Sequence, residues 1–176
     1  MGYTGAKLKP LFSPRPAKRA ARKMAVRGAE EFKRNVVQNT PIDDSPFPSR
    51  EPGTARKSWR VKPIEVLTML SADTYVTGVE TEDPVARYLE EGTGLYGPKH
   101  KAYIIRPKDP DGYLRFYSRK TGQWVFAKQV LHPGIHAQRP LATGAAITEH
   151  QLAKTLQVEL WRWKHEQELA GYRGYD

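Results

Sequence analysis

The chain has 176 residues, room for one ordinary domain and its core plus an arm or two. A hydrophobic content of 39% and a charged content of 27% exclude a disordered or fibrous class, and no run of about eighteen apolar residues is present to cross a bilayer as a helix. With no cysteine and a formal charge of +10, the chain cannot form disulfides or thiolate metal sites, fits folding in a reducing cytoplasm, and calls for an anionic partner.

Residues 1–14 carry Gly2, Gly5, Pro10 and Pro14 without apolar periodicity and are expected to be an extended arm. The first ten residues lack the apolar stretch of a secretory signal. A helix is predicted from Pro16 to Asn39, because Ala17, Ala21, Met24, Gly28, Phe32 and Val36 recur every three or four residues on one narrow stripe. Pro16 suits a first helical turn and Pro41 stops the helix. Gly28 costs about 1 kcal/mol against alanine unless a neighbouring backbone must come close. Lys18, Arg19, Arg22, Lys23 and Arg27 fall off the apolar stripe, and before Thr40 only Glu30 and Glu31 oppose the bases. Such a run is either a solvated helix face or a surface for phosphate or an acidic partner.

Residues 40–58 hold Pro41, Pro46, Pro48, Pro52 and Gly53, too many breakers for a regular element, and are expected to form a long loop. Alternation returns from Trp59 to Met69, with Pro63 placing that strand at an edge or bulge. Thr74 to Val79 makes a second strand, Pro84 to Glu91 a short helix with Val85, Tyr88 and Leu89 inward, and Ala102 to Arg106 a third strand. A hairpin runs from Tyr113–Tyr117 through a turn at Arg119–Gly122 to Gln123–Leu131, where Gly122 can supply the positive φ. A last helix spans Leu141 to Leu169, with Leu152, Leu156, Leu160 and Trp163 on one face and Val158 and Trp161 flanking. The fold class is α+β: a small, mostly antiparallel sheet packed with a long N-terminal and a C-terminal helix, in one domain over residues 15–170 before a tail at 171–176.

Motifs for chemistry are weak. Gly92, Gly94 and Gly97 have the spacing of a dinucleotide loop, but that loop needs a strand before it and a helix after it, and here helical residues precede and Pro98 follows. His132 and His136 stand four apart, yet Pro133 and Gly134 forbid the helix that would aim both at one metal. No serine sits in a nucleophile elbow, and the acid pairs Asp43–Asp44 and Glu90–Glu91 lie in or beside loops. No catalytic residue, metal or cofactor is expected. The tryptophans Trp59, Trp124, Trp161 and Trp163 could stack on bases, but their positions fit core packing or a subunit interface better.

Five segments in order carry a resemblance: NTPIDDSPF after the long helix, GTARKSWRV, TYVTGV, VARYLEEGTG, and VLHPGIHAQRPLATGA before the last helix. Across residues 20–150 the chain resembles the tail-completion family, also called minor tail or head–tail joining proteins, of phages with long non-contractile tails. Thr40, Pro41, Ile42 and Asp43 match one motif of that family. Gly53, Arg56, Ser58 and Trp59 match a second, with Ala55 in place of the usual leucine. Tyr88, Leu89, Glu90, Gly92, Thr93 and Gly94 match a third, and Pro140, Leu141 and Ala145 loosely match a fourth. The stretch between Asp43 and Gly53 is longer than is usual there.

The resemblance implies a structural virion protein of the neck or tail, made in the host cytoplasm and not an enzyme. It implies a homo-oligomer, expected as a hexameric ring, between the tail tube or its terminator and the adaptor or stopper proteins of the head connector, with no membrane partner. The loop residues Pro41, Asp43, Phe47, Arg50 and Arg56 are candidates for reaching a neighbouring subunit, and Lys18, Arg19, Arg22, Lys23 and Arg27 for facing packaged double-stranded DNA. Thr40, Trp59, Tyr88, Glu90, Gly92, Thr93 and Gly94 are expected to be structural. Charge alone supports a different class, a free, non-specific nucleic-acid-binding protein.

Overall fold

Helix α1 runs from Pro14 to Asn39, two residues earlier than periodicity suggests, in a computed structural model that describes residues 14–43, 50–69 and 72–172. Its stripe of small residues meets α4 (Pro140–Tyr172), which lies antiparallel to it. The register is fixed by cross-helix contacts. Asn35 Nδ2 donates to Thr148 Oγ1 at 3.0 Å and Gln151 Oε1 at 3.1 Å, Thr155 Oγ1 donates to Glu31 Oε2 at 2.9 Å, and Arg27 bridges to Glu159. Small residues let the helices close up. A Cβ on Gly144 would lie 2.9 Å from the Val36 nitrogen, and one on Gly28 would lie 3.3 Å from Leu152 Cδ1. Gly28 thus makes room for a leucine side chain rather than for a neighbouring backbone.

The inward face of α4 differs from the expected leucine stripe. Leu152, Leu156 and Trp163 are half-buried, but Leu160 and Val158 are about half exposed and Glu159 is buried in their stead. The physical reason is the ion pair: Arg27 and Arg162 both donate to Glu159, which turns that side of α4 toward α1.

Between the helices the chain forms two nested β-ribbons. In the first, β1 (Arg60–Val61) pairs with β4 (Val79–Glu80), and further along β2 (Glu65–Met69) pairs with β3 (Ala72–Val76), all antiparallel. Pro63 lacks the N–H a continuous ladder needs, so the ribbon is interrupted there and held by Lys62 N–H donating to the Gly78 carbonyl at 2.9 Å. In the second, β5 (Tyr103–Ile105) pairs with β8 (Val130–His132), and β6 (Leu114–Ser118) pairs with β7 (Gln123–Ala127). The expected long return strand Gln123–Leu131 is therefore two strands with different partners. Four two-stranded ladders stand where one sheet was expected.

Two short helices complete the fold: α2 (Thr54–Lys57), inside what reads as loop in the sequence, and α3 (Pro84–Glu91). The buried core is small, with Val36, Trp59 and Ala86 at its centre and Phe32, Val37, Val79 and Leu141 around them. The arm over residues 1–13 and the tail over 173–176 lie outside the described residues.

Candidate assembly and DNA-facing surfaces

Three hydrogen-bonded nodes hold the motif residues. At the first, Thr40 is completely buried; its hydroxyl donates to the Val36 carbonyl at 2.7 Å and accepts from Trp59 Nε1 at 2.9 Å. Arg56 Nε donates to the Thr40 carbonyl at 2.8 Å. The helix end and the Ser58–Trp59 segment are thereby one unit: Trp59 is 2% exposed, and its one polar atom has its partner. Ser58 is tied to Thr81 at 2.6 Å, so this node also anchors the chain leaving β4.

At the second node Arg50 grips Asp83 with both terminal nitrogens, at 3.0 and 2.6 Å. Asp83 also accepts from Val85 N–H at 2.9 Å and so caps α3, with Pro84 in the first helical position. The Arg50 hydrogen bond, ahead of the capping bond, holds the Asp83 carboxyl below the usual carboxylate range, against the opposing effect of burial.

The third node joins α3 to α4. Glu90 accepts from Leu141 N–H at 2.8 Å and Ala142 N–H at 3.2 Å, a carboxylate on the amino end of a helix. The Leu89 carbonyl accepts from Gln138 and Arg139 N–H, at 2.7 and 3.1 Å. The glycine loop then locks against residues 133–137. Thr93 N–H donates to the Ile135 carbonyl at 2.9 Å, and Leu95 N–H donates to that of Pro133 at 2.7 Å. Gly94 has φ 61 and lies so close to Pro133 and Gly134 that a Cβ would overlap them, which fixes glycine there. Only a three-residue 3-10 turn follows it, so no helix amino end is offered to a phosphate.

The predicted interface loop is brought partly onto its own chain: Arg50 and Arg56 are engaged as described, Pro41 is half-buried and Asp43 exposed. Phe47 and the rest of 44–49 lie outside the described residues. Among the five basic candidates on α1, Lys18 pairs with Asp73 at 2.7 Å and Arg27 with Glu159. Lys18 holds the Asp73 carboxyl low, with Thr68 assisting. Arg19, Arg22 and Lys23 remain as an exposed basic face.

The histidines are packing groups. His136 stacks on Tyr96 with centroids 3.5 Å apart, and His132 lies against Tyr103 and accepts from Gly134 N–H at 3.0 Å. Among the described residues no group of three or more His, Asp or Glu could hold a metal ion. No described helix is long and apolar enough to cross a membrane.

Residues 6–92 match the family described as "Bacteriophage HK97-gp10, putative tail-component". Over that stretch the chain belongs to the HK97-gp10-like family of phage tail components. It is a structural protein of a phage tail, and so of the virion. The match takes in α1, the first ribbon and α3, including the first two nodes and Glu90 of the third; the second ribbon and α4 lie beyond it. No curated protein and no solved structure matches the chain significantly.

What the sequence did not disclose is the surface of the second ribbon. Phe126 is 64% exposed and Leu131 68%, with Ile104, Tyr113, Phe116 and Trp124 also open. Trp124 and Trp161 are surface residues rather than core. The alternation of that ribbon signals strands, but alternation cannot tell which face, if either, its own chain covers.

Proposed function

We propose that this tail component is a tail-completion or head–tail joining subunit, assembling as a ring between the tail tube and the head connector. The observation that carries the reading is the union of family membership with a surface built for partners. The chain exposes 14319 Å², where a compact monomer of its 20.0 kDa would expose about 8,700 Å². Subunits that close a ring use two different patches, so unburied apolar surface on each subunit is what such an assembly requires.

The basic face of Arg19, Arg22 and Lys23 supports a position beside the DNA path. Non-specific phosphate contacts suit DNA that must slide and not be read. Lys18 and Arg27 contribute less, since each already has a carboxylate partner.

Disrupting the gene and viewing the lysate by negative-stain electron microscopy tests the role. Filled heads beside separate tails of normal or irregular length are expected; joined, intact particles would reject it. Reversing Arg19, Arg22 and Lys23 to glutamate is expected to impair DNA retention or ejection while joined particles still form. The competing reading, a free nucleic-acid-binding protein, predicts salt-sensitive DNA binding by the isolated monomer and normal particles without the gene.

A further inference from the structure

The second ribbon makes its extensive contacts only with itself, and both of its faces are open. Neither face of an isolated two-stranded ribbon is covered, and such a ribbon is marginal in water on its own. One face sets Arg115 over the Trp124 ring at 4.2 Å and Lys128 over the Tyr113 ring at 4.3 Å, with Phe126 paired across from Arg115. Nearer its base, Ile104 and Leu131 face each other across the ladder and are also open. The ribbon is therefore an apolar surface in a basic setting: residues 99–128 hold eight Lys and Arg against two Asp.

The stretch just before it has the opposite character. Residues 64–98 hold seven Asp and Glu against a single base, Arg87. Folded, that stretch gives the β4–α3 face a cleft of about 320 Å³, floored by Trp59, Val79, Ala86 and Leu141 and rimmed by Glu80 and Glu91. Glu82 lies exposed beside it.

Resting on the ring reading above, we infer that the second ribbon of one subunit docks on the β4–α3 face of the next copy of this chain. Charge complementarity selects that face. The larger apolar cleft between α1, β3 and α4, about 580 Å³, is lined by Met24 and Ala25 directly after the basic Arg22 and Lys23, and would repel the ribbon. Area agrees: the chain's excess exposure over a compact monomer is several thousand Å², above the ~1,600 Å² buried in a standard stable interface. DNA is the poorer occupant, because phosphates would answer the lysines and leave Ile104, Phe126 and Leu131 in water. The contact is heterologous, ribbon to face, so it propagates around a ring.

The test is a charge swap on the full chain, read by light scattering and native mass spectrometry. One variant carries Arg106→Glu, Lys108→Glu and Lys120→Glu on the ribbon. The other carries Glu80→Lys, Glu82→Lys and Glu91→Lys on the acidic face. All six residues are exposed and none belongs to the three nodes, so each variant is expected to keep wild-type circular dichroism. Each should weaken self-association by about 100-fold, since like charges then face each other. Mixing the two, or combining all six changes in one chain, should restore the oligomer. Oligomers unchanged in both single-surface variants would overturn the ribbon contact and leave the ring intact. A wild-type chain that stays monomeric would overturn the contact and weaken the ring reading, while the lysate experiment still judges the tail role. Loss of a DNA mobility shift with the oligomer intact would assign the ribbon to nucleic acid instead.

Discussion

The helical body and the second ribbon are built on opposite terms. In the body, a handful of buried side chains is stitched by hydrogen bonds that cross long stretches of chain: Trp59 to Thr40, Arg50 to Asp83, Glu90 to the start of α4. In the ribbon, aromatic and aliphatic residues alternate as densely as in a core, yet Phe126 and Leu131 are mostly in solvent. The body spends its apolar residues on its own stability; the ribbon holds its own in reserve for another molecule. The two regions should therefore answer mutation differently, body changes lowering the stability of the single chain and ribbon changes lowering association.

The largest expected effect is at Trp59. Removing a ring that is 2% exposed leaves a cavity beside Val36 and Ala86 and takes away the partner of the buried Thr40 hydroxyl. Trp59→Ala should cost about 3–5 kcal/mol, read from urea unfolding followed by circular dichroism. A cost under about 1 kcal/mol would mean that the core does not rest on this node.

Asp83 comes next, and it gives the contrast a pH signature. Asp83→Ala removes a helix cap, worth about 1 kcal/mol, and strands Arg50, for a total of about 2 kcal/mol. The folded carboxyl titrates below its unfolded value because Arg50 holds it charged. Its contribution is thus complete above an unfolded pKa of about 3.9 and is lost as pH falls through the lower folded value. The gap in melting temperature between wild type and Asp83→Asn should shrink as pH drops below about 4. A gap that persists there would point to packing and not to the ion pair.

How much of this contrast is legible in the sequence depends on the range of the interaction. The helices α1 and α3 and the hairpin turn rest on local periodicity, proline and Gly122, and the α+β class follows from them. The motif residues also read correctly as structural, since Thr40, Trp59 and Glu90 each make a bond that shapes the fold. Pairing was harder. Nothing local tells Val130 and Leu131 to leave the β7 ladder and join β5, because that choice is made by a partner some 25 residues away. The burial of Glu159 in place of Leu160 depends on Arg27 arriving from the far end of the chain. The engagement of Lys18 and Arg27, which narrows the basic face to Arg19, Arg22 and Lys23, has the same origin.

Glu90 sharpens the boundary between the regions, for it lies at the end of the family-matched stretch and caps a helix beyond it. Glu90→Ala should cost about 1 kcal/mol, and Glu90→Gln roughly half that, since the amide keeps one acceptor but loses the charge that favours a helix amino end. Amide exchange at Leu141 and Ala142 reports it directly and should accelerate more in the alanine variant. Equal exchange in wild type and both variants would mean that α4 is capped by other means.

The smallest effect on the chain itself should fall on the ribbon, at Phe126. In a core, exchanging phenylalanine for serine would cost several kcal/mol; here the ring is 64% exposed and its neighbour across the ladder is Arg115. Phe126→Ser should change monomer stability by no more than about 0.5 kcal/mol. The measurement has to be made at a dilution where wild type is monomeric, because stabilisation by a partner subunit depends on concentration. Raising the concentration should then separate the two proteins, with wild type gaining melting temperature and Phe126→Ser gaining less. Were Phe126→Ser to destabilise the dilute monomer as strongly as Trp59→Ala, the ribbon would belong to the body's own core, and the division between the two regions would fail.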